Sequence, residues 1–261
     1  MTNTTDPVTL RREGAVAVLQ LNRPHALNAL DVTTARAFHA ACTTLAADDS
    51  VRAVLLCGAG RSFGVGGDLA ALRNEPGAVA LQLIEPLHAS IQLLTRLRAP
   101  VIAALQGAVA GGSLSLALAA DIAVAADDAR FTLAYAGVGA SCDVSGSWHL
   151  PRLVGLRQAL AIALLNEPLD ATEALRLGLV NRVVPAAALA GEAMVLAQRV
   201  ATGPTQALGH LKRLLRQSLD TDLPTQLDAE RDAFVACTQT QDFNEGLAAF
   251  FARRPPQFQG R

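Results

Sequence analysis

Along the first half of the chain, short continuous apolar runs alternate with stretches in which apolar residues recur at helical spacing. Residues 16–21, Val-Ala-Val-Leu-Gln-Leu, form the first such run and have strand character. A turn-rich connection at 22–28 leads into a helical stretch from about 31 to 47, with Asp31 as its N-cap. The pattern then repeats. Residues 51–57 read as a second strand, and the glycine-rich loop 58–67 leads to a helix near Leu69. A long helix within 78–98 carries Leu83, Leu87, Ile91 and Leu94 at helical spacing; Pro86 kinks it or marks its start, and Pro100 ends it. Residues 101–105 are then a strand, 107–112 a loop, 113–120 a helix of small residues and 122–125 another strand. This alternation predicts an α/β fold with parallel pairing and crossover helices. From about residue 187 the pattern is largely helical, broken at Gly203-Pro204, Pro224 and Pro255-Pro256, so the chain divides into a core over 1–186 and a helical subdomain over 187–261.

Composition narrows the class. A chain of 261 residues that is 51% hydrophobic and 17% charged is long enough for one sizeable core. The formal net charge of −1 supplies no basic field for nucleic acid. Cys42, Cys57, Cys142 and Cys237 are widely spaced without a C-x-x-C pair, which argues against a zinc site or a disulfide framework and fits a reducing cytoplasm. Residues 1–7 lack the basic and apolar regions of a signal peptide. The apolar stretch 101–126 is interrupted by Gly107, Gly111, Gly112 and Asp121, so it reads as buried core and no membrane partner is expected.

Candidate chemistry centres on Asp143, the one carboxylate between Asp128 and Glu167. It stands in the loop 135–143, which joins a strand to a helix. An aspartate among Ser141, Cys142, Ser145 and Gly146 either stabilises a turn or serves as a general base in an apolar pocket. Tyr135 and Trp148 are candidate pocket walls, or plain core aromatics. The glycine pairs Gly66-Gly67 and Gly111-Gly112 each follow a strand; they are tight turns, or they aim backbone N–H groups at one anionic oxygen. His25, His39, His88, His149 and His210 show no metal-ligand spacing and read as surface or packing residues. Cys142 has no basic neighbour in sequence to activate it as a nucleophile.

The segments 23–30 (Arg-Pro-His-Ala-Leu-Asn-Ala-Leu), 58–63 (Gly-Ala-Gly-Arg-Ser-Phe), Gly66-Gly67-Asp68, 100–103 (Pro-Val-Ile-Ala), 175–181 (Leu-Arg-Leu-Gly-Leu-Val-Asn) and 253–258 (Arg-Arg-Pro-Pro-Gln-Phe) together resemble the crotonase, or enoyl-CoA hydratase/isomerase, family over nearly the whole chain. The resemblance implies an α/β fold, a spiral of ββα units that binds acyl-CoA over 1–186. It also implies a helical region over 187–261 that assembles the protein as a homotrimer or a dimer of trimers. It implies acyl-CoA thioester substrates and no cofactor beyond the coenzyme A of the substrate. The family's oxyanion-hole donors fall on Gly67 and Gly112, and its substrate-binding positions on Ala26, Asp68, Leu69, Ala70 and Tyr135. Ser115 and Tyr135 stand where the family's hydratases carry two water-activating glutamates, and neither can replace a carboxylate as acid or base near neutral pH. Asp143 matches an aspartate of the family's isomerases, above all the ring-epoxide isomerase subgroup of phenylacetate breakdown, although Cys142 replaces that subgroup's proline. The implied activity is a CoA-thioester isomerisation with Asp143 as the single acid/base. Its rivals are a non-catalytic acyl-CoA-binding partner of a hydratase and an aryl-CoA dehalogenase with Asp143 as nucleophile.

Overall fold

A computed structural model of the chain describes residues 6–73 and 75–261; most of the polar amino-terminal stretch lies outside the described residues. Strand β1 (Val8–Glu13) folds back antiparallel on β2 (Val16–Leu21). From β2 onward the large sheet is parallel through β3 (Ala53–Gly58), β4 (Val101–Leu105), β6 (Ile122–Ala126) and β9 (Arg182–Val184). A second layer holds β5 (Ala108–Ala110), β7 (Arg130–Thr132) and β8 (Leu169–Asp170). Single bridges from Leu30 to Gly67 and from Gly64 to Val109 extend that layer across the earlier turns of the chain. Each turn thus lays a strand in the large sheet and an extended piece in the small layer. It then crosses back through a helix: α1 (Val32–Ala46), α2 (Pro76–Arg96), α3 (Gly111–Leu118) or α4 (Gly146–Val154), with α5 (Leu156–Leu165) and α6 (Ala171–Leu177) following before β9. This is the ββα spiral that the sequence resemblance implies.

Several boundaries differ from the pattern reading, each for a local reason. Asp31 caps α1 as expected, its carboxylate accepting the Thr34 N–H at 2.7 Å. No helix begins at Leu69. Ala71 N–H bonds Asp68 O and Arg73 N–H bonds Ala70 O, three residues back, so 69–73 remains turns, and the helix waits for Pro76, whose fixed φ suits a first turn. Pro86 lies inside α2, not at its start, and α2 ends at Arg96, before Pro100. Part of the expected loop at 107–112 is strand β5, and α3 starts at Gly111. A three-residue strand carries no periodicity of its own; its pairing with β7 makes it one.

Period-two alternation sorts the large sheet's side chains onto two faces. Ala17, Leu19, Leu56, Ala103 and Leu105 face α1, α2 and α3, where Phe38, Leu87 and Leu94 are fully buried. Val16, Val18, Ala53, Leu55, Ile102 and Val124 face the other way, onto Leu189, Ala193, Ala197 and Ala201 of α7 (Leu189–Ala201). The alanines of α7 recur every fourth residue and form one narrow stripe that lies close on the sheet. The helical end of the chain therefore begins by closing the core.

Beyond α7, α8 (Thr205–Gln217) is anchored by a buried charge cluster. Asp121 accepts from Lys212 Nζ at 2.7 Å, from Arg216 at 2.8 Å and from the Val101 N–H at 2.8 Å. Burial pushes the Lys212 ammonium below its ordinary lysine value, and Asp121 pulls it back up. Removing Asp121 leaves a buried ammonium without its counter-charge. Asp121→Ala should lower stability by about 3–5 kcal/mol in urea unfolding; a loss near that of a surface ion pair, below ~1 kcal/mol, would mean that water replaces the carboxylate.

Candidate active site

The spiral's crossing points border a cleft of about 500 Å³ lined by Gly66, Gly67, Gly111, Gly112, Tyr135 and Asp143 at its polar end. Leu69, Leu72, Leu83, Ile84, Leu87 and Val138 line the remainder. Two glycine turns meet here. Gly66 has φ +87°, and a Cβ on it would lie 3.1 Å from the Gly112 nitrogen and 3.1 Å from the Ala110 oxygen, so a side chain would push the turns apart. The buried Ser113 hydroxyl accepts the Gly66 N–H at 3.1 Å, which fixes the first turn. On either side of Gly67, Leu30 donates to Gly66 O at 2.8 Å and accepts from Asp68 N–H at 2.9 Å, so the Gly67 N–H is left out of this pairing and Gly67 borders the cleft. Gly112 lies in the first turn of α3, where N–H groups have no intrahelical acceptor.

Asp143 is the one carboxylate among the described lining residues. A Cβ on Gly112 would lie 3.6 Å from its Oδ1, so the acid stands against the first turn of α3. Tyr135, in a 3-10 turn spanning Tyr135–Val138, donates its phenol proton to Asp143 Oδ1. Ser115 Oγ lies 3.0 Å from the same phenol oxygen. A phenol has a single proton, so the serine hydroxyl is the donor in that second bond. Burial, and then the Asp143 charge, raise the Tyr135 phenol above its ordinary value, so it stays protonated and leaves Asp143 Oδ2 as the freer oxygen. The same two causes raise the Cys142 thiol, which keeps the less nucleophilic protonated form.

The turn that presents Asp143 is strained. Gly146 N–H closes it on Asp143 O at 3.0 Å, and the two residues between, Val144 and Ser145, have φ of 48° and 68°. Two successive positive φ values have the sense of a type I′ turn, normally made from Gly, Asn or Asp. A β-branched valine in this region costs on the order of 1–2 kcal/mol. Burial and specific bonds hold it: Val144 is wholly buried, its N–H bonds His88 Nε2 at 3.1 Å, and Ser145 Oγ lies 2.9 Å from His149 Nδ1. Arg216 donates to His149 Nε2 at 3.2 Å, so the imidazole proton sits on Nδ1 and points at Ser145.

The sequence-derived candidates separate into those the cleft collects and those it does not. Gly67, Gly112, Leu69, Tyr135 and Asp143 share the cleft. Ala26, Asp68 and Ala70 lie outside its lining. Asp68 accepts the Ala70 N–H at 3.2 Å and faces Arg23 at 3.5 Å, while Ala26 ends a 3-10 turn spanning Pro24–Ala26. Trp148 is not a wall of this cleft. The phase of α4 turns it outward, where the Arg152 guanidinium stacks 4.0 Å from its ring centre. His88, read as a surface or packing residue, is exposed on α2 and also stands in the lining, a place that its sequence spacing did not reveal. Among the described residues no three His, Cys, Asp or Glu side chains converge as a metal-binding group, and no helix is long and apolar enough to cross a membrane.

Comparison with known proteins is consistent with this arrangement. Residues 11–261 match the family described as Enoyl-CoA hydratase/isomerase. The chain belongs to that family, the crotonases, and has their fold. It is 37% identical over 253 residues to the 1,2-epoxyphenylacetyl-CoA isomerase of Escherichia coli K12, covering 95% of this chain and 97% of that one. It is 33% identical over 252 residues to the crotonyl-CoA hydratase of Syntrophomonas wolfei, covering 96% and 97%. The crystal structure of an enoyl-CoA hydratase from Polaromonas sp. JS666 superposes with a TM-score of 0.91 at 36% identity, covering 97% of this chain and 99% of that one. The chain is thus an acyl-CoA enzyme of the enoyl-CoA hydratase/isomerase family.

The clamp on Ser145 has a pH signature. Burial first, then the Arg216 charge, lowers His149 from 6.5 to about 4. The unfolded chain gains this proton below about pH 6.5, while the folded protein refuses it until about pH 4, so His149 costs stability progressively across that window as pH falls. The urea midpoint of the parent protein should therefore fall more steeply from pH 6.5 to 4 than that of His149→Gln; parallel curves would show that His149 titrates normally in the fold.

Proposed function

We propose that the chain is an acyl-CoA isomerase in which Asp143 is the single acid/base. The observation that carries this reading is the cleft's polar end, where one carboxylate stands beside two glycine turns. The Gly67 and Gly112 N–H groups receive the thioester oxygen and stabilise the enolate formed when Asp143 removes a proton. From a β,γ-enoyl-CoA, Asp143 takes the α-proton and returns it at the γ-carbon to give the conjugated thioester; in a ring-epoxide substrate the same carboxyl moves the proton as the ring opens. Tyr135 holds Oδ1 of Asp143, and the proton travels on Oδ2. Asp68, Leu69, Ala70 and Ala26 meet the coenzyme at the cleft's rim. The similarity to the E. coli isomerase supports this reading. Against hydration, the family resemblance puts Ser115 and Tyr135 where hydratases carry their glutamates, and the two hydroxyls are committed to each other and to Asp143.

The reaction needs no cofactor beyond the substrate's coenzyme A. The exposed apolar side chains Leu215 and Leu219 on and just after α8, Phe234 on α9 (Leu223–Thr238), and Phe250 and Phe251 on α10 (Gln241–Phe251) fit burial between subunits of a trimer or a dimer of trimers. The free thiols fit a cytoplasmic protein.

The test is proton–deuterium exchange into a β,γ-enoyl-CoA in heavy water, with conjugation followed spectroscopically. Asp143→Asn should bind acyl-CoA yet lose on the order of 10²–10⁴ in both rates. A folded variant that keeps its rate refutes the assignment. Binding without turnover in the parent protein favours the non-catalytic reading, and a trapped aspartyl-aryl ester on Asp143 favours the dehalogenase. Gly112→Ala separates site from fold. Its methyl would meet Asp143, Leu30 and Val144 at 3.6–3.7 Å, ordinary contact distances, so the helix should be as stable or more so. The methyl enters the polar end of the cleft, so turnover should fall on the order of 10²-fold, comparable to losing an oxyanion donor.

A further inference from the structure

We infer that His88 is a positioning residue for Asp143, holding from α2 the strained turn that aims the carboxylate. The inference rests on the proposed role of Asp143. His88 projects from α2, which also supplies Leu83, Ile84 and Leu87 to the cleft. Its Nε2 accepts the Val144 N–H at 3.1 Å, which places the ring proton on Nδ1. Val144 follows Asp143 directly and has φ of 48°. A valine there relaxes toward negative φ whenever its backbone is released, and that rotation swings the peptide joining it to Asp143. The other restraints on the turn act elsewhere: Tyr135 on the Asp143 side chain, His149 on Ser145, and core packing on the Val144 side chain. His88 alone among these holds the Val144 N–H. It also borders the cleft, so the side chain that fixes the turn stands on the surface facing the acyl group.

The experiment compares His88→Leu with His88→Gln. Leucine cannot accept the Val144 N–H, whereas the glutamine amide oxygen can. Position 88 is an exposed helix position, so both variants should fold. In the isomerisation assay, His88→Leu should lose about 10- to 100-fold in kcat with KM for the acyl-CoA changed less than about threefold, and His88→Gln should recover most of that loss. Amide hydrogen exchange at Val144 gives a readout independent of turnover: protection should fall in His88→Leu, return in His88→Gln and remain in Asp143→Asn. Full kcat in His88→Leu, a Gln variant as impaired as Leu, a loss carried by KM, or unchanged Val144 protection in His88→Leu would each overturn the inference. If Asp143→Asn stays active while the protection pattern holds, the proposed role of Asp143 fails and the His88 contact stands.

Discussion

Two turns of the spiral touch through their backbones at Gly66 and Gly112, and the cleft exists because nothing larger than hydrogen separates them. A Cβ at Gly66 would force the Gly112 nitrogen away, and one at Gly64 would lie 2.4 Å from the Ser113 hydroxyl. At this close approach, Ser113 holds the Gly66 N–H while Gly67 and Gly112 are left to border the same space. The parallel order of β2, β3, β4 and β6 sets the pitch that brings successive loops to one end of the sheet. The small layer, continued by single bridges at Leu30 and Gly64, keeps those loops in register.

The polar chemistry of the cleft is sparse and consistently directed. Ser115 donates to Tyr135, Tyr135 donates to Asp143, and the chain of donors ends on a carboxylate oxygen. A phenol held above its ordinary pKa by burial keeps supplying that bond, so one oxygen of Asp143 is committed and the other is freer. Leu83, Ile84 and Leu87 give an apolar wall to a site whose proposed work is to stabilise a transient negative charge. The turn that presents the acid is strained. Val144 and Ser145 adopt conformations that their own chemistry disfavours, and neighbours drawn from α2, α4 and the core impose them. Through Arg216 and His149, the same turn is tied to α8 and the buried Asp121 cluster, so the carboxyl-terminal helices bear on the geometry of the cleft.

Much of this was legible in the residues themselves. Continuous apolar runs separated by helical spacing announce parallel α/β units, because a strand buried on both faces has no polar side to alternate. Asp31 reads as a cap, and Asp143 stands out as a lone acid in an apolar stretch. The family resemblance singles out Gly67, Gly112 and Asp143 as candidates, and the fold brings all three to one cleft. Local pattern failed where the deciding contacts are remote. Strand β5 exists through its pairing with β7, and the turns after Asp68 stay unhelical until Pro76 supplies a start. Trp148 is adjacent in sequence to the site's turn, but one helical step faces it outward onto Arg152.

The amino-acid sequence by itself determined the order of elements, the family and the chemical types available at the site, since each of these depends on residue identity and short-range spacing. The tertiary structure decided which groups converge. Tyr135 reaches Asp143 because a 3-10 turn folds the intervening residues back, and His88 meets Val144 because α2 crosses the cleft from a distant part of the chain. A positive φ at a valine cannot be read from its neighbours in sequence. It is unfavourable locally and persists because burial and hydrogen bonds from other elements outweigh its cost.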